Sequence, residues 1–305
     1  MAILGRKGSG HRTILTCLAI LILTVAPASA QTLERILSSN VFKIGFREDA
    51  PPFSFKGDAG EPRGYSIELC REIAVDIKTQ LGLAELSIEY LPVSADTRFE
   101  AVRQGGIDLL CGASTITLAR RETVSFSIPV FQTGVSPVMR ADAPAFLQDT
   151  LARRKPTLPP RAAFMEAFED RNFGARSNTT AETWLRDSVA TLASNASIMA
   201  VDSHDEGIRR VLAGDLDAYF ADRAILLGLV LASDRPGAFV IGEHLYSHEP
   251  YGLALAKGDE RFRLQVDRSL SRLYRSLEIA PIFTRYFGRP APAILSLYLM
   301  GAVPE

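Results

Sequence analysis

The densest chemistry in the chain lies between residues 111 and 127, read as Cys111-Gly112-Ala113-Ser114-Thr115-Ile116-Thr117-Leu118-Ala119-Arg120 and continuing to Phe126-Ser127. A short apolar strand ending at Asp108-Leu109-Leu110 runs into small and hydroxyl residues near a predicted helix start, with an arginine five positions after Thr115. Free backbone amides at a helix N-terminus and the Thr115 hydroxyl can donate to one side of a carboxylate, while the planar fork of Arg120 grips the other. The same spacing also suits an ordinary strand, an N-cap and a solvated helix face.

The surrounding pattern says what positions these residues. Val41 to Phe46 reads as a strand, followed by the Pro51-Pro52 turn and the aromatic pair Phe53 and Phe55. Gly64-Tyr65-Ser66-Ile67-Glu68-Leu69 opens an amphipathic helix to about Leu81, and Leu86 to Leu91 is a second strand. Arg98 to Gln104 is a helix stopped by Gly105-Gly106, and Ile107 to Leu110 is the third strand. The rhythm then repeats. Phe173 to Ser177 leads to a helix start at Asn178 to Trp184, a helix around Gly207 to Ala213 precedes Asp217 to Asp222, and a strand from Tyr251 to Ala256 enters a long helix, Glu260 to about Leu277. Alternation of this kind predicts an α/β fold with mostly parallel sheets in two lobes, and loops at strand C-terminal ends then make a ligand cleft between the lobes. The stretch from Ala143 to Pro160 is rich in proline and arginine and reads as an irregular excursion.

Compartment follows from the ends of the first thirty residues. Arg6, Lys7 and Arg12 precede an apolar run from Ile14 to Val25 and a small-residue end at Pro27-Ala28-Ser29-Ala30, the form of a secretory signal peptide cut before Gln31. An uncleaved anchor is the alternative, although the run is short for a membrane span. Cys17 lacks the small-residue context of a lipoprotein. Removing residues 1–30 leaves 31 basic against 35 acidic side chains, a net charge of about −4, which gives no footing for a nucleic-acid partner. About 275 residues remain, enough for one large domain or two ordinary ones. Two cysteines survive, Cys70 and Cys111, and in an oxidising compartment they read as one disulfide, with two separate buried thiols as the alternative. There is no CxxC, so the cysteines suggest neither a zinc site nor a redox pair.

Taken in order, Pro52-Phe53-Ser54-Phe55, Gly64-Tyr65-Ser66-Ile67-Glu68-Leu69, Gly105-Gly106-Ile107-Asp108, Thr115-Ile116-Thr117 with Arg120, Phe126-Ser127, Tyr219-Phe220-Ala221-Asp222 and Tyr251-Gly252 with Lys257-Gly258-Asp259 resemble the periplasmic amino-acid-binding proteins of ABC importers. Gly45-Phe46-Arg47-Glu48, Leu69-Cys70, Leu110-Cys111-Gly112 and Thr97-Arg98 place the resemblance nearest the glutamate/aspartate-binding members. The resemblance implies a type II two-lobed periplasmic-binding fold, with residues 31–132 and 249–305 in the first lobe and 133–248 in the second. It further implies that Arg120 and Thr115 hold a ligand α-carboxylate, with the Ala113 amide able to join them. Arg47 and Arg98 meet a side-chain carboxylate, Thr180 lines the second-lobe half, and Asp222 accepts from the α-ammonium. His204 stands near the side-chain end, and Phe53 is either a platform over the ligand or core. Taken alone, Arg47 and Arg98 also suit surface ion pairs with Glu48 or Asp96, and His204 suits a helix cap.

The sequence departs from the family pattern in places. Ala113 and Ala95 stand where hydroxyl residues are frequent, and Asn178 where glycine is usual. The expected partners are an acidic amino acid and the permease of an ABC transporter in the inner membrane, with the protein itself a monomer, periplasmic, and without cofactor or metal. The rival is an enzyme on the same scaffold, since cyclohexadienyl dehydratases resemble these proteins; it requires a general acid, for which Glu249 and Glu48 are the candidates. A serine hydrolase lacks its G-x-S-x-G, and His244 and His248 lie beside Gly242 and Pro250 rather than on a zinc-binding helix.

Overall fold

The computed structural model describes residues 1, 2, 5, 32–152 and 161–305. Most of the signal-peptide segment, including its cleavage end, and residues 153–160 of the proline-rich excursion lie outside the described residues. Two five-stranded sheets dominate. The first is ordered Ser87–Pro92, Val41–Phe46, Leu109–Cys111, Ala254–Ala256, Val124–Phe126, and the second Ser197–Val201, Asn172–Arg176, Ala218–Asp222, Val135–Arg140, Phe239–Ile241. In each, four strands point the same way and one, Ala254–Ala256 in the first and Val135–Arg140 in the second, runs against its two neighbours, so the expectation of mostly parallel strands holds for direction while two of the four pairings are antiparallel. The interior strands Leu109–Cys111 and Ala218–Ala221 are buried throughout, as strands covered on both faces must be.

Helix Tyr65–Gln80 shows how the pattern becomes packing. Its buried residues Ser66, Leu69, Cys70, Ile73 and Ile77 recur at helical spacing and face the first sheet. No side chain caps its start; instead the Tyr65 and Ser66 amides donate to the carbonyls of Pro52 and Phe53, each at 2.9 Å. Gly64 makes that approach possible, since its φ is +132° and a Cβ there would lie 2.2 Å from the Phe53 carbonyl oxygen. A disulfide joins Cys70 on this helix to Cys111 at the end of the central strand. It pins the start of the chemically rich loop to the core.

The predicted strand over 251–256 is two strands. Glu249–Tyr251 pairs antiparallel with Phe131–Thr133, and Ala254–Ala256 joins the first sheet. The break falls at Gly252, whose amide donates to the Ser114 carbonyl at 3.0 Å. The two-stranded ribbon formed by 131–133 and 249–251 links the two large sheets. It is tightly packed, because a Cβ on Gly134 would sit 2.2 Å from the Ser247 carbonyl.

Candidate functional site

Between the sheets lies a narrow cleft. Arg47, Arg98, Ala113, Thr115, Arg120, Thr180, His204 and Asp222 all line it. These residues are up to 175 positions apart in sequence, and the two sheets bring them together.

Arg120 sits in a one-turn helix, Leu118–Arg121, capped by the Thr117 hydroxyl, which accepts from the Arg120 amide at 3.1 Å. The helix is too short to supply the amide cradle expected from sequence. Thr115 lies ahead of the cap and bridges to Tyr251, with the Ile116 amide donating to Pro250 at 2.7 Å. The loop is thus laid against the connecting ribbon, and Arg120 Nη1 donates back to the Thr115 carbonyl at 2.8 Å. Burial lowers the Arg120 pKa from its ordinary value, while Glu249 and Asp222 support its charge.

Arg47 and Arg98 are each only 3 % exposed, which excludes the surface ion pairs. Glu48 is exposed and pairs with Lys56 at 3.6 Å, and Asp96 accepts from the Asn178 amide at 2.5 Å. Arg98 donates to the carbonyls of Ala95 and, across the cleft, Asn178 (3.2 Å). Its pKa falls to about 9 through burial, then through Arg120 and Arg47. The Nε atoms of both Arg47 and Arg98 are buried without a partner. Asn178 has φ 57°, a left-handed conformation that explains why glycine suits this position and why asparagine can replace it.

The opposing sheet contributes three groups. Asp222 ends strand Ala218–Asp222; its Oδ2 accepts from the Tyr251 hydroxyl at 2.5 Å and its Oδ1 has no partner. Burial and neighbouring Glu249 raise its pKa to about 7. Thr180 opens helix Thr180–Leu192, donates to Glu249 Oε2 at 2.9 Å and lies 3.4 Å from the Thr115 hydroxyl. His204 opens helix His204–Ala213, its Nδ1 2.8 Å from the Tyr219 hydroxyl, and burial followed by Arg47 and Arg98 drives its pKa to about 3, leaving a neutral imidazole.

Phe53 does not line the cleft. It is fully buried in an aromatic cluster with Phe131, Tyr251, Phe287 and Tyr65, at ring distances of 4.8, 5.0, 5.4 and 6.2 Å. Capping helix Tyr65–Gln80 with its carbonyl places Phe53 beneath the ribbon, so the core alternative holds over the platform. Four participants went unread in the sequence. Phe99 carries the Arg98 and Arg120 guanidiniums 4.5 and 5.0 Å from its ring centre. Tyr251 serves Asp222, and Asp49 and Arg176 form a charged pair beside Arg47. Phe99 sits next to Arg98, and that adjacency is a usable signal; Tyr251 stands among the family motif residues without an assigned role, and nothing local marks Asp49 or Arg176.

Residues 42–289 match the bacterial extracellular solute-binding proteins, family 3. The chain belongs to that family. An L-glutamate/L-aspartate-binding protein of Pseudomonas aeruginosa is 28% identical over 272 residues, covering 88% of this chain and 83% of the relative. A glutamate/aspartate import solute-binding protein of Escherichia coli is 25% identical over 269 residues, with the same coverage of both chains. Among solved structures, an ancestral amino-acid-binding protein described as a precursor of cyclohexadienyl dehydratase superposes with a TM-score of 0.69 at 22% identity, and ArgBP from T. maritima with 0.68 at 23%. Each alignment covers 84% of this chain and 99% of the other, and these likenesses establish the type II two-lobed fold. Among the described residues of this family member, no helix is long and apolar enough to cross a membrane.

Proposed function

We propose that this family 3 protein is a periplasmic receptor that closes over glutamate or aspartate and delivers it to the permease of an ABC importer, having been exported by a signal peptide cut before Gln31. The observation that carries the ligand class is the set of unpaired buried atoms: the Nε of Arg47, the Nε of Arg98 and Oδ1 of Asp222, all on residues lining one cleft. An acidic amino acid supplies a partner for each, its side-chain carboxylate to the arginines and its ammonium to the aspartate, while Arg120 and the Thr115 hydroxyl take the α-carboxylate.

Charge balance favours the same class. With the exposed Asp96 beside Arg98 at the rim left aside, and counting only groups that are not solvent-exposed, Arg47, Arg98, Arg120 and Arg176 stand against Asp49, Asp222 and Glu249, one excess positive charge when ionised. Zwitterionic glutamate or aspartate, with net charge −1, neutralises it; glutamine leaves it buried and unpaired. For the dehydratase reading, Glu48 faces solvent and both oxygens of Glu249 accept hydrogen bonds, from Ser247 at 2.8 Å and Thr180 at 2.9 Å, so neither is presented as a general acid.

The test is a thermal-shift series of residues 31–305 with the disulfide intact, against the amino acids, small dicarboxylates and prephenate. Ligand at about 100 times its Kd adds about 2.7 kcal/mol, a shift of a few degrees. A response confined to glutamate and aspartate is expected. Equal stabilisation by neutral amino acids overturns the roles of Arg47 and Arg98, and a response to prephenate alone overturns the receptor reading.

A further inference from the structure

Asp49 uses its two carboxylate oxygens on two different arginines. Oδ1 accepts from Arg47 Nη2 at 2.6 Å, and Oδ2 lies 3.0 Å from Arg176 Nη2. Arg47 follows directly on strand Val41–Phe46 of the first sheet, whereas Arg176 ends strand Asn172–Arg176 of the second. The bridge therefore spans the cleft. Both guanidiniums are buried, with side chains 4 % and 6 % exposed, and Asp49 is 21 % exposed at the cleft edge. Arg176 is held from behind, its Nε and Nη2 donating to the Asp202 carbonyl at 3.1 and 2.9 Å, so its own lobe fixes its direction.

Approach of the sheets without Asp49 would bring Arg176 toward Arg47 and Arg98 with no carboxylate between them. The low pKa of Arg98, due in part to Arg47, shows how crowded the positive charge is at this end. Asp49 also takes one end of the Arg47 guanidinium and so sets where its unpaired Nε points.

We propose that Asp49 and Arg176 form an interlobe clasp that holds the cleft shut over its ligand and orients Arg47 toward the ligand's side-chain carboxylate. The clasp rests on the reading of a closing two-lobed receptor. It makes Asp49 and Arg176 positioning residues, acting on the ligand through Arg47 and through the closed state. Because the pair is assembled only when the lobes meet, its loss acts on escape rather than on encounter.

The test uses Asp49→Asn, Arg176→Gln and the double variant of the mature protein. Stopped-flow dissociation of glutamate is expected to quicken about tenfold in each single variant, a value set for a pair that is partly open to water, with association nearly unchanged. The double variant is expected to be no faster than the faster single one, and Arg176→Lys, which keeps a charge for Asp49, to fall between wild type and Arg176→Gln. Unliganded melting temperatures stay near wild type, since the clasp joins two lobes that each keep their own core. Additive effects in the double variant overturn the clasp. A second measurement separates this proposal from the ligand assignment: spin labels on the two lobes report their separation without any amino acid. A shift toward longer distances in Asp49→Asn and Arg176→Gln supports the clasp even where wild type fails to bind glutamate, a failure that overturns the acidic-ligand reading alone. Unchanged distances together with unchanged dissociation overturn the clasp.

Discussion

Asp222 makes ligand affinity depend on pH in a direction that its surroundings decide. Its carboxyl is buried, receives one hydrogen bond from Tyr251 and has Glu249 nearby, and its pKa stands at about 7. An amino-acid ammonium at the unpaired Oδ1 requires the ionised form, so proton and ligand compete for the same carboxyl. Below pH 7 the free site holds the proton and must release it on binding; affinity therefore rises with pH and levels off above about 7. From pH 7 to pH 5 the ionised fraction of the closed site falls about fiftyfold, corresponding to about 2.3 kcal/mol. Opening the cleft rehydrates Asp222 and draws its pKa back toward the ordinary carboxylate range, so about a fiftyfold loss is the ceiling. Titration calorimetry between pH 5 and 8, in buffers of different ionisation enthalpy, measures both the affinity and the protons released. Glutamate's own side chain stays ionised over that range, so it does not contribute the effect. An affinity that is flat across the range with no proton release refutes the reasoning. So does an Asp222→Asn variant that binds as tightly as wild type and keeps the wild-type pH dependence.

Three further outcomes follow from the same geometry. Arg120→Ala should weaken every amino acid by more than about a hundredfold, because it removes one member of a buried charged contact to a group all of them share; isothermal titration with glutamate and glutamine checks that the losses are equal. Arg98→Ala should cost glutamate and aspartate about thirtyfold while changing glutamine far less, and equal losses would remove Arg98 from the side-chain end. Breaking the Cys70–Cys111 link with a double serine substitution opens a loop with a sequence separation of 41 and should lower stability by about 4 kcal/mol in the chain-entropy picture, read as a fall in urea midpoint with ligand specificity preserved.

Local order was legible in the sequence because helices and strands are local. The strand Val41–Phe46 and the helix starting at Tyr65 lie where their apolar spacing puts them, and helix Glu260–Arg275 ends two residues short of its reading. The resemblance of ordered short motifs names eight cleft-lining residues in advance as neighbours, from Arg47 to Asp222, four of them charged. What the chain's spacing could not carry was which polar atom meets which. Glu48 and Asp49 are indistinguishable by local spacing, yet Glu48 points to solvent and Asp49 reaches Arg176 more than a hundred residues away. Phe53 was open between platform and core until helix Tyr65–Gln80 took its carbonyl as a cap. Hydrophobic periodicity records which face of an element is buried, because each side chain registers that cost on its own. Pairing of buried charges is a property of two elements at once, and only the closed arrangement of the two sheets assigns Asp49, Arg176 and the unpaired nitrogens of Arg47 and Arg98 their places.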